Sequence, residues 1–114
     1  MRAGILRHRV TIQQMVETSD GHHGLDETAT TVAARIPAYV QPLAGRALER
    51  AQQIDPRTTH QVDLRHRTGL ATGQAVIFHD PDDGDRTFEI VAPPTDVLEQ
   101  RRTLRLLCKE QEAA

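Results

Sequence analysis

The sequence predicts a mainly β fold, a small antiparallel β-barrel of about six strands with one short helix between strands two and three. Three observations predict it. Short segments alternate apolar and polar residues with a period of two, most cleanly His60–Arg67 and Arg7–Met15. Between such segments lie turn clusters rich in Gly, Pro and Asp, of which Asp80–Asp85 is the clearest. One stretch, Gly45–Ile54, carries a helical stripe instead. Closure into a barrel removes sheet edges, which suits a short sheet with few aromatic residues.

Arg7–Met15 opens the fold as a strand, with His8, Val10 and Ile12 on one side and Arg9, Thr11 and Gln13 on the other. Glu17–Thr31 is polar, contains two glycines and lacks an apolar period, and is read as a long loop. Alternation returns over Ile36–Leu43. Pro37 and Pro42 cannot donate to a ladder, so this strand is expected at an edge or broken at both ends. In the helix, Ala47, Leu48, Ala51 and Ile54 form a narrow apolar stripe, and Asp55-Pro56 ends it because the residue before proline is pushed out of the helical region. His60, Val62, Leu64 and His66 face one way in the third strand, with Gln61, Asp63, Arg65 and Arg67 facing the other. Gly69 and Gly73 bracket a turn. Ala75–His79 and Arg86–Ala92 then flank the hairpin turn Asp80–Asp85. Pro93-Pro94 starts an excursion to about Arg102, and Thr103–Lys109 closes the chain as a strand.

The 114 residues are read as one domain with a lean, aliphatic core, since only 3% are aromatic (Tyr39, Phe78, Phe88) and tryptophan is absent. A domain of this size buries a small share of its surface, which makes oligomerisation a natural source of further stability. The net charge of −2 gives no global attraction to nucleic acid or to an anionic membrane. A single cysteine, Cys108, precludes an internal disulfide and fits an intracellular origin. The N-terminus turns charged again at Arg7 before a signal-peptide apolar core forms, and no run approaches the ~20 apolar residues of a membrane span.

No residue pattern points to catalysis, to a metal or to a cofactor. His22 and His23 are adjacent without a second ligand pair at ligand spacing, and His60 and His66 lie roughly 20 Å apart along an extended chain. Counted from Asp80, the acidic turn places glycine fifth and Val91 twelfth, where a calcium loop needs glycine sixth and glutamate twelfth. Cys108, among Leu106, Leu107 and Lys109, reads as a buried small hydrophobe. Ser19, the only serine, has no strand-to-helix elbow around it. Arg7-His8-Arg9, Arg65-His66-Arg67 and Arg101-Arg102 are the basic sites. Single-strand binding would pair such sites with an aromatic stacking platform that three aromatics do not supply, so ion pairs or subunit contacts are the better use.

The order Gly4–Gln13, Gln41–Asp55, the His60–Arg67 strand, Phe88-Glu89-Ile90-Val91 and Leu104–Glu110 resembles the phage head–tail connector family of small head-completion proteins, the stopper or head-closure proteins. The strongest pieces are Pro42-Leu43-Ala44-Gly45-Arg46 with its helix, Thr59-His60, Phe-Glu-Ile-Val, and Leu-Leu-Cys-Lys-Glu near the end. The resemblance implies a non-enzymatic virion protein made in the host bacterial cytoplasm, assembled as a homo-oligomeric ring (hexamer or dodecamer) beneath portal and adaptor. A tail-completion or tail-terminator protein docks on its far side, and double-stranded genome DNA passes through the channel without sequence recognition. In some members the segment between strands two and three projects inward and closes the channel. Here it corresponds to Pro42–Pro56, with Pro42, Gly45, Arg46, Leu48, Glu49, Arg50, Gln53 and Asp55 as the gating candidates. The alternative for this helix is a cap on one open barrel end. Arg46, Glu49, Arg50 and Asp55, with Asp63, Arg65 and Arg67, are candidates for setting register between subunits. The alternatives to a stopper are an adaptor binding the portal directly and, in another class, a small single-stranded nucleic-acid-binding barrel.

Overall fold

The computed structural model describes residues 6–19, 25–99 and 101–111. Along the chain run β1 (His8–Ser19), β2 (Leu25–Pro42), α1 (Gly45–Ile54), β3 (His60–Arg65), β4 (Ala75–Asp80), β5 (Gly84–Ile90), β6 (Thr95–Asp96), a 3-10 turn (Val97–Glu99) and β7 (Thr103–Glu110). The strands pair antiparallel in the order β3-β2-β1-β4-β5-β7, and β3 also pairs with β7. That last pairing closes a six-stranded barrel with α1 between strands two and three, as the sequence predicts. β6 pairs with the first half of β7, along the stretch of that strand that β5 does not reach.

Alternation fills the interior. Val10 and Ile12 of β1, Ala38 and Val40 of β2, and Val62 and Leu64 of β3 are buried. Val76 and Phe78 of β4, Phe88 and Ile90 of β5, and Leu104, Leu106 and Cys108 of β7 complete one continuous core. Phe88 is its largest fully buried side chain. With so few aromatics, packing rests on branched aliphatics, each contributing about 1.5–3 kcal/mol on burial.

The long loop predicted over Glu17–Thr31 is corrected by the structure. Glu17–Ser19 belong to β1 and Leu25–Thr31 to β2, paired from Gln13↔Thr31 out to Ser19↔Leu25. β4 reaches β1 only over Val10–Gln13, so beyond that point β1 and β2 pair solely with each other as a projecting ribbon. A two-stranded ribbon away from the core has no buried face to impose an apolar period. Its Thr-rich sequence favours extended backbone without revealing it through alternation.

Register shifts between Val10 and Ile12 and between Ile12 and Gln13 each leave an extra residue on β2. Bulges of this kind bend and twist a strand, here where the ribbon leaves the barrel. Arg35, at φ +47°, sits in this irregular stretch, and its N–H donates to Thr11 Oγ1 at 3.1 Å. The expectation that Ile36–Leu43 lies at an edge or breaks at both ends is also corrected, because β2 pairs with β1 on one side and β3 on the other and runs through Pro37, stopping only at Pro42. Pro37 is accommodated one residue before β3 joins, at Ala38, and Pro42 is the final residue of the strand.

Candidate functional site

The segment Pro42–Pro56 differs at its two ends. At the start, Ala44 is extended and Gly45 takes φ +58°, a left-handed conformation that a Cβ would strain even though open space surrounds it. No side chain caps the helix there. At the end, Asp55 N–H donates to Ala51 O, and Arg57 bonds both carboxylate oxygens of Asp55 at 3.0–3.1 Å. Thr58 is wholly buried and its hydroxyl donates to Asp55 O at 2.8 Å; Thr59 N–H donates to Cys108 O of β7. A second, longer ion pair joins Arg57 to Glu89 at 3.6 Å. The helix therefore has a glycine joint on one side and a stapled turn on the other.

Between these ends α1 is weakly seated. Only Ala51 is buried, Leu48 is half-buried, and Pro42, Arg46, Glu49, Arg50 and Gln53 are exposed. A cleft of about 350 Å³ separates the helix from the barrel wall, lined by Ala47, Arg50, Ala51 and Ile54 on one side and by Gln61, Thr95, Arg105 and Leu107 on the other. Gln61, Arg105 and Leu107 alternate with the buried Val62, Leu104, Leu106 and Cys108, so α1 lies beside the outer face of β3 and β7. Ile54 stands 68% exposed at this cleft.

Rings and charges gather elsewhere in the barrel, around Phe78 and Phe88. His8 packs against Phe78 at 4.8 Å between ring centroids and stacks on Tyr39 at 5.7 Å, while its Nδ1 accepts the Val40 N–H. His60 meets the Phe88 ring edge-on at 4.8 Å. The Arg86 guanidinium lies over both phenyl rings and donates to Glu110. Burial lowers the pKa of both histidines, and the bond from Arg86 holds the Glu110 carboxyl below its usual value. Sequence alternation places His8 and His60 on core-facing strand positions but does not reveal this cluster, because its members come from all six strands of the barrel and no local spacing joins them.

Of the candidates for subunit contacts, Asp63 is already engaged, accepting from Arg105 Nε at 3.1 Å and from Gln61. Arg65 is exposed opposite Thr103, and His66 N–H donates to Arg102 O, which gathers Arg65, His66, Arg67, Arg101 and Arg102 at one end of the β3–β7 pair. Ile36, Pro37, Leu64, Arg65, His66 and Arg67 line a smaller cleft of about 200 Å³ there. Cys108 is buried, and burial alone pushes its thiol up to about 12, far from the range of a nucleophile. Thr11 Oγ1, His79 and Asp85 form a bonded chain of 2.7 and 3.0 Å, but the hydroxyl is buried and also receives the Arg35 N–H, so the chain fastens the β1–β2 bulge to β4. Among the described residues no group of three or more His, Cys, Asp or Glu is placed to hold a metal ion.

A small closed barrel serves many functions, and sequence likeness decides among them. The sequence profile of the phage head completion protein family matches residues 1–111. The chain belongs to the phage head completion protein family. Membership supports a structural role at the phage head, a place in the virion and contact with other head or tail proteins. In fold, this head completion protein is similar to the solution structure of protein SF1141 from Shigella flexneri 2a, with a TM-score of 0.78 at 23% identity over 100% of both chains. No curated protein matches it. No helix among the described residues is long and apolar enough to cross a membrane.

Proposed function

We propose that this head completion protein is a connector stopper, a homo-oligomeric ring (hexamer or dodecamer) set below the portal and adaptor. It closes the filled capsid and offers the tail its docking platform. The family match over residues 1–111 carries this reading. Genome DNA passes through the ring without sequence recognition, and the near-neutral net charge of −2 suits a conduit, since a strongly basic lining would hold phosphate through counterion release. The helix is the moving part. Gly45 provides the joint and the Asp55–Thr59 staple the fixed end, so α1 swings on one side rather than travelling freely on both.

The test uses adaptor-bearing, DNA-filled heads that lack this protein. Full-length protein retains the DNA in this reading, whereas a chain lacking Gly45–Ile54 binds the heads and lets DNA leak. An adaptor role is the second reading, since the two proteins occupy neighbouring positions. Binding to portal-bearing heads that have no adaptor would establish it in place of the stopper.

A further inference from the structure

The two large hydrophobic residues exposed on the described surface are Met15, 45% exposed, and Ile54, 68% exposed. They stand on different features. Met15 belongs to the ribbon that β1 and β2 form beyond the barrel, paired with Ala29. Ile54 belongs to the cleft between α1 and the β3–β7 wall, whose apolar floor includes Ala47, Ala51 and Leu107.

The two features carry opposite charge. From Val10 to Ala34 the chain has no lysine or arginine but four acidic residues, Glu17, Asp20, Asp26 and Glu27. The strand register pairs positions 17 and 27, so the two acidic stretches of sequence run side by side along the ribbon backbone. The cleft supplies cations. Arg50 lines it, Arg46 lies one turn earlier on the same helix, both are exposed, and neither has an ion-pair partner among the described residues.

We infer that the ribbon of one copy docks in the α1–β3–β7 cleft of the next, with Met15 against Ile54 and the acidic ribbon sequence toward Arg46 and Arg50. The occupant of the cleft is a second copy of this chain. The ribbon leaves the barrel at β1–β2 and the cleft lies further round, at β3–β7. Repeated from copy to copy in one direction, the contact is heterologous, of the kind that closes rings. This inference rests on the ring proposed above and names its interface. It also gives α1 a second duty, because a neighbour's ribbon bears on the helix that gates.

Charge reversal tests it. One chain carries Glu17→Arg and Glu27→Arg, the other Arg46→Glu and Arg50→Glu, and assembly is followed by native mass spectrometry with circular dichroism as the control for folding. Each variant alone meets its own copies with like charges and assembles about ten-fold more weakly than wild type. Mixing the two restores assembly, as alternating copies. As a test that does not depend on charge, a chain with Met15→Cys mixed with a chain with Ile54→Cys forms an intermolecular disulfide between the two new thiols on oxidation, while the buried Cys108 stays out of the exchange. Rings of wild type and of both reversed variants alike, with no cross-link between positions 15 and 54, would overturn the docking and leave the ring reading standing. A wild-type protein monomeric both in solution and on adaptor-bearing heads would overturn both.

Discussion

Arg86 and Glu110 meet at 2.7 Å where the end of β7 runs beside the last three residues of β5, and the same guanidinium covers the rings of Phe78 and Phe88. One arginine thus lids the aromatic part of the core and holds the carboxylate beside it. The folded-state pKa of Glu110 is lowered, first by the hydrogen bond from Arg86. The pair's stabilisation is therefore complete above the ordinary carboxylate value of 4.5 and is lost as pH falls through the lower folded value. Both side chains are about a third exposed, so solvent screening limits the pair to about 1 kcal/mol. Glu110→Gln lowers the urea midpoint at pH 7, and the difference from wild type narrows at pH 3.

The histidines of the same cluster depend on pH in the same direction. Burial lowers the pKa of His8 and His60, so both are held neutral in the fold. Their sign follows from linkage. Stability is constant above the unfolded value of 6.5 and falls as pH drops through the folded values, because the unfolded chain takes up protons first. The expected outcome of an NMR titration is a ring midpoint below 6.5 for each. A midpoint above it would contradict the packing of His60 on Phe88.

Gly45→Ala separates backbone strain from packing. A Cβ at this position meets nothing within 4 Å, so the whole cost is the left-handed φ of +58°, about 1–2 kcal/mol. The expected outcome is a small loss in the denaturation midpoint, together with slower or incomplete DNA retention in the filled-head assay.

Cys108 is silent until the protein unfolds. With its thiol raised to about 12 and fully buried, it reacts with an aromatic disulfide reagent only at the rate of unfolding, and at once in denaturant. Phe88→Ala in the same core costs about 3–5 kcal/mol, enough to unfold a marginal barrel.

The barrel is legible in the sequence because its strands obey alternation. Val62 and Leu64 inside with Arg65 outside need only the period of two, and Asp55-Pro56 marks the helix end without help from packing. What escapes the sequence lies where that signal is missing. The ribbon beyond Gln13 pairs with no third strand, so Glu17–Thr31 reads as a loop. The contacts Arg86–Glu110 and Thr11–His79 join residues 24 and 68 positions apart, which local patterns do not reach. Pro42 and Pro56 delimit the helical segment but do not disclose its asymmetry, because the staple depends on Thr58 being buried and Thr59 bonding to β7.

Nuclease protection of packaged DNA tests the stopper reading most directly. Filled, adaptor-bearing heads without this protein are incubated with it and then exposed to nuclease. The account predicts that added protein turns leaking, digestible genomes into protected ones, saturating when each head carries its ring. Genomes that remain digestible while the protein is bound to the heads would contradict it.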